Sequence, residues 1–211
     1  MLTPGKTYAD ICRNFRWKVP EYYNIGIDIC DKHAHLPGRL ALIHEKASGE
    51  VERYTFGKLK RVSNQLANAL TALSVKAADR VAILLPQCPE TAIAHIATYK
   101  IGGIAVPLFS LFGPDALTYR LADSQAKVVI TDTIGFEKIE SIRHELPDLV
   151  HVIVIRNQNS ETAVDFWDCL RKGSADFASV STRADDPALI IYTSGTTGPP
   201  KGALHAHRTL L

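Results

Sequence analysis

Apolar positions along this chain fall into two alternating periods from Val51 onward. After Thr55, the residues Phe56, Leu59, Val62, Leu66, Leu70 and Leu73 recur every three or four positions, which predicts an amphipathic helix with Thr55 as its N-cap. Lys58 stands where a capping box would place an acid, so a weaker helix start is expected. Short apolar runs at Val81–Leu85, Ile104–Leu108, Lys127–Thr131, Val152–Ile155 and Ala188–Tyr192 predict buried strands. Between them, Pro89 and Pro114 fit the first turns of two helices, and further helices are expected near Phe136–Leu146 and Ala163–Arg171.

Strands that are apolar on both faces and joined by helices imply an α/β fold, a mostly parallel sheet flanked by helices. In such sheets ligands bind beyond the carboxyl ends of the strands. Residues 1–50 are less regular and read as an N-terminal segment packing on the unit formed by 51–211. Ala41–Glu45 pairs with Glu52–Thr55 in an expected hairpin around Ser48 and Gly49. Arg156–Thr162 reads as a surface loop, and Arg183–Pro187 as a turn into the last strand.

The 211 residues, 46% of them hydrophobic, suffice for a sizeable core. A net charge of +2 draws the chain to neither nucleic acid nor an anionic membrane. No apolar run is long enough for a transmembrane segment, and the N-terminus lacks the apolar stretch of a secretory signal. Cys12, Cys30, Cys88 and Cys169 have no paired spacing and read as reduced, buried or half-buried thiols of a cytoplasmic protein. His33 with His35, and His205 with His207, form two H-x-H pairs. Neither has further ligands at suitable spacing, so no metal site is expected, and the second pair is expected to begin a helix. Trp17 and Trp167 read as packing anchors.

The candidate chemistry lies in Tyr192–Gly202, YTSGTTGPPKG, with five hydroxyl residues, three glycines and one lysine directly after a strand. Glycines let backbone amides turn toward an anion. Thr193, Ser194, Thr196 and Thr197 add hydroxyl donors, and Lys201 adds a mobile charge suited to phosphate oxygens. Two prolines before the lysine rule out the Walker pattern, and no G-x-G-x-x-G follows a strand. On residue types alone, a phosphate-gripping loop and a plain polar surface loop both remain open. Tyr192, at the strand end, reads first as a packing residue.

YTSGTTGPPKG resembles the glycine- and threonine-rich loop of the adenylate-forming, AMP-binding enzymes. The segments YNIGIDICDKHA, ALIHE, PLFSLFGPDALTYRLADSQAKVVITD and KGALHAHR are similar to acyl-CoA synthetases of the acetate- and medium-chain branch. The resemblance implies the N-terminal part of that family's large domain, incomplete at its C-terminus. It implies ATP-dependent activation of a carboxylic acid, then transfer to coenzyme A. Thr193, Ser194, Gly195, Thr196, Thr197, Gly198 and Lys201 would wrap the β- and γ-phosphates of ATP with Mg2+ bridging their oxygens, Lys201 being catalytic. A histidine past the loop, His207, would approach the nucleotide or acyl site. The adenine and ribose segments, the acyl pocket and the C-terminal lid come later in relatives. The alternative expectation is therefore a catalytically incomplete fragment with weak phosphate binding.

Overall fold

The computed structural model describes residues 5, 7–156, 161–194 and 198–211. Near the N-terminus two short helices, α1 (Tyr8–Asn14) and α2 (Ile25–Ile29), precede the antiparallel pair β1 (Leu40–Glu45) and β2 (Val51–Thr55). This hairpin is the expected one, and it crosses position 50. Then follow α3 (Phe56–Ala72), β3 (Arg80–Leu84), α4 (Pro89–Lys100), β4 (Ile104–Pro107), α5 (Pro114–Ser124), β5 (Val128–Thr131), α6 (Thr133–Ile142) and β6 (His151–Val154). The chain continues through β7 (Val164–Asp165), α7 (Phe166–Lys172), β8 (Pro187–Thr193) and β9 (Lys201–Ala206).

Seven strands form one sheet in the order β7-β6-β5-β3-β4-β8-β9. Every neighbouring pair is parallel except β8 with β9, which is antiparallel. Alternate residues of each strand serve opposite faces. Val81, Ile83, Val128, Ile130 and Ile153 join one buried cluster with α3, α4 and α7. Ala82, Leu84, Val106, Val129, Val152 and Val154 join the other with α5 and α6. This is why the strands read as unbroken apolar runs. Thr55 caps α3 by accepting from the Lys58 amide at 3.1 Å, and Leu59, Val62, Leu66 and Leu70 form its buried face.

Two elements depart from expectation. Val164 and Asp165 form a two-residue edge strand before α7, where only a helix was predicted; Asp165 caps that helix by accepting from the Asp168 amide at 2.7 Å. Lys201–Ala206 is a strand that holds His205, and the expected helix start falls at His207, which opens a short 3-10 turn, His207–Leu210. Trp17 is exposed and touches Phe15 edge to face at 5.0 Å, so it anchors no core, whereas Trp167 packs on the main cluster. All four cysteines are free thiols, and Cys12 is exposed rather than buried. Most of the expected loop at Arg156–Thr162 lies outside the described residues.

The N-terminal segment is tied to α3 and α4 by polar contacts. Asn24 donates to the carbonyls of Tyr99 at 2.7 Å and Val180 at 3.1 Å, and its Oδ1 caps α2. A Cβ on Gly26 would lie 2.9 Å from Lys100 Cγ and 3.0 Å from the Ile96 carbonyl oxygen, so only glycine lets α2 approach α4 this closely. Lys100 is fully buried, and its Nζ lies 2.7 Å from Asp31 Oδ1, 2.9 Å from Ser63 Oγ and 2.7 Å from Asn64 Oδ1. Burial pulls this ammonium below its ordinary pKa, and the Asp31 carboxylate opposes the shift.

Removing one partner of a buried ion pair strands the other charge. Asp31→Ala is therefore expected to destabilise the chain by about 3 kcal/mol in urea unfolding. A loss under about 1 kcal/mol, the scale of a surface pair, would show that Lys100 does not depend on Asp31.

Candidate functional site

The parallel strands end together at one edge of the sheet. β3 lies at its centre, with β4 on one side and β5 on the other, so the chain reverses its direction of winding there. Beyond the carboxyl end of β8 the chain turns back into β9, with Thr193 opposite Lys201 and Tyr192 opposite Gly202. This turn holds the motif singled out in the sequence, and its place at the strand ends is where such sheets present ligand groups.

Thr193, Ser194, Gly198 and Lys201 are all exposed at this turn. Gly198 has φ of 116°, a backbone conformation that side chains rarely tolerate, with open space where a Cβ would stand. Gly195, Thr196 and Thr197 lie outside the described residues. Paired residues of an antiparallel ladder share a face, so Thr193 and Lys201 stand side by side while Tyr192 turns the other way. Two exposed hydroxyl residues, a positive-φ glycine and an ammonium at one turn suit a polyanion such as a nucleotide triphosphate.

Tyr192 packs as expected. Its hydroxyl donates to Asp123 Oδ2 at 2.6 Å and to the Arg120 carbonyl at 3.2 Å. Burial first, then the Asp123 carboxylate, push the phenol above its ordinary pKa, so it stays protonated. Across the hairpin a Cβ on Gly202 would meet Ile190 Cγ2 at 3.0 Å and the Tyr192 ring at 3.2 Å. The glycine after Lys201 is thus a seat for this ring, a reason that its place in the motif alone did not reveal.

His207 is separated from the other candidates. It follows the last residue of β9, whose Ala206 pairs with Pro187 at the amino end of β8. Six residues of strand set it roughly 20 Å from Lys201. It is fully buried, its Nδ1 accepts from the Ile25 amide at 3.2 Å, and its ring meets Tyr99 edge to face at 6.2 Å. In this position His207 locks the end of the hairpin onto α2. Among the other expected histidines, His33 lies against Phe56 with ring centroids 4.9 Å apart, and His35 Nδ1 is 2.7 Å from the Lys32 carbonyl oxygen.

The sequence profile of the AMP-binding enzymes matches residues 31–211, and the chain belongs to that family. The acetyl-coenzyme A synthetase of Streptomyces coelicolor is 35% identical over 207 residues, spanning 90% of this chain and 32% of that enzyme. Among solved structures, the Brucella canis acyl-CoA synthetase superposes with a TM-score of 0.86 at 28% identity, covering 96% of this chain and 38% of that one. The anthranilate CoA ligase AuaEII, solved with anthranoyl-AMP, gives a TM-score of 0.80 at 31% identity over 90% of this chain and 36% of the ligase. The chain thus spans about a third of the length of the relatives it matches.

A buried and a half-buried imidazole set an acid limit on this arrangement. Burial lowers the pKa of His207, with Asp186 opposing, and lowers that of His95 to about 4. Both rings bind fewer protons folded than unfolded below about pH 6.5, for His95 down to about pH 4, so their stabilisation is complete above about pH 6.5 and is lost as pH falls below it. Urea midpoints should fall from about pH 7 to about pH 5, above the range where ordinary carboxylates titrate. The double variant His95→Gln, His207→Gln should flatten this slope; an equal slope in the variant would assign it elsewhere.

Proposed function

We propose that this chain carries the triphosphate-gripping part of an acyl-CoA synthetase, which joins a short- or medium-chain carboxylic acid to AMP and then to coenzyme A. The observation that carries this reading is the turn between β8 and β9, with Thr193, Ser194, Gly198 and Lys201 exposed together beyond the carboxyl end of the sheet. Family membership supports the reaction class.

Carboxylate is a poor electrophile, so its attack on a thiol needs activation. In adenylation one carboxylate oxygen attacks the α-phosphorus of ATP, the bond to the β-phosphate oxygen breaks, and pyrophosphate leaves with the electron pair. The protein must align attack with departure and neutralise charge on the leaving group. Thr193, Ser194, Thr196 and Thr197 would donate hydroxyl hydrogen bonds to the β- and γ-phosphates. Gly195 and Gly198 would let backbone amides approach them, and Lys201 would place its ammonium on the departing oxygens. Mg2+ held by the phosphates would lower their charge further. The acetate- and medium-chain likeness of the sequence and the acetyl-coenzyme A synthetases among the relatives favour a small acid. Transfer to coenzyme A rests on the family alone.

A second reading is that the turn binds polyphosphate without turnover. Calorimetry with Mg2+ and tripolyphosphate tests what both readings share. Lys201→Ala should weaken binding about tenfold, in keeping with roughly 1.5–3 kcal/mol for a charge-assisted contact. Acid-dependent exchange of labelled pyrophosphate into ATP then separates them: exchange marks the synthetase, and Lys201-dependent binding without exchange marks the second reading. Absence of Lys201-dependent binding defeats both.

A further inference from the structure

The turn that carries the candidate grip is held from outside by one helix. α5 packs on the face of the sheet toward which Tyr192 points. Tyr119 and Asp123, four residues apart, lie on one face of that helix. The Tyr119 hydroxyl donates to the Pro200 carbonyl at 2.9 Å, and Asp123 Oδ2 receives the Tyr192 hydroxyl at 2.6 Å. The two tyrosine rings meet edge to face, 6.5 Å apart at 77°.

Tyr192 is the last residue but one of the strand entering the turn, and Pro200 immediately precedes the strand leaving it. One helix face therefore grips both shoulders. Arg120, between the two gripping residues, lays its guanidinium 4.1 Å from the centre of the Phe112 ring and 5.7 Å from that of Tyr192, which steadies the ring from the core side. Gly202 clears space for the same ring from the opposite strand. Proline has no amide hydrogen, so Pro200 adds no donor of its own to the ladder, and its carbonyl is tied down by Tyr119.

We propose that Tyr119 and Asp123 are positioning residues: they fix the two shoulders of the β8–β9 turn so that Thr193 and Lys201 meet a phosphate without first being ordered. The proposal rests on the phosphate reading of the turn. Fixing both ends removes ordering cost from binding, so the grip should show in affinity as well as in motion. Both residues are exposed on α5, so replacing them leaves the core intact.

The test uses this chain with Tyr119→Phe, Asp123→Ala and both together. Amide hydrogen exchange is read at Thr193 and Lys201, with Val81–Leu84 and Val128–Thr131 as internal reference, and calorimetry reads affinity for Mg2+ with tripolyphosphate. The double variant should exchange about tenfold faster at the two shoulders with the reference strands unchanged, and should bind about fivefold or more weakly. Unchanged shoulder exchange, or faster exchange with unchanged affinity, overturns the proposal. Faster exchange in the reference strands as well overturns it too, since that reports general destabilisation. Lys201→Ala is the separate arm for the phosphate reading: it should lose affinity while shoulder exchange stays that of the parent. If affinity is indifferent to Lys201, the phosphate reading fails, while the exchange arm still decides whether α5 holds the shoulders.

Discussion

Burial of one sheet on both faces is the constraint on which the rest of this molecule depends. A strand with apolar side chains above and below it needs a helix layer on each side. The chain meets that need by routing α3, α4 and α7 over one face and α5 and α6 over the other. The backbone groups of the strands pair within the sheet, and polar groups collect where the strands end. The turn after β8 is such an end. Its hydroxyls and its ammonium stand beyond the carboxyl end of β8, whose burial falls from Ala188 toward Thr193.

This constraint also explains the division of labour between the ends of the β8–β9 hairpin. One end, at Thr193 and Lys201, is open to solvent and polar. The other is sealed by His207, which takes an amide hydrogen from α2 and packs against Tyr99. The N-terminal segment, clamped by Asn24 and by the Lys100–Asp31 pair, provides the surface against which that end is sealed. A segment that looked irregular in sequence thus braces the hairpin that carries the candidate chemistry.

What was legible in the sequence follows from where information is local. The α3 cap at Thr55, the proline starts of α4 and α5, and the buried strands β3, β4, β5 and β6 are written in periodicity and turn chemistry, and they stand where expected, while β8 is a strand as expected but only partly buried. β7 and β9 were not legible because they lie at the sheet edges. A two-residue strand has no period, and Lys201–Ala206 is largely exposed, so its strand character comes from pairing with β8. The place of His207 was not legible for the same reason: nearness to the motif along the chain says nothing about which end of a hairpin a residue occupies. The contacts of Tyr119 and Asp123 were beyond reach as well, since Tyr192 and Pro200 come to them only in the folded molecule. The motif itself was plain in composition, and its position beyond the strand ends agrees with the rule for such sheets.

We propose that the β8–β9 turn is where this chain meets a polyphosphate. The most direct measurement is a titration of the isotope-labelled chain with Mg2+ and tripolyphosphate, followed amide by amide in NMR spectra. Saturable shifts should concentrate at Thr193, Ser194, Gly198 and Lys201 and fade along β8 and β9 toward His207. Saturable shifts centred elsewhere, or none at the turn, would contradict the proposal.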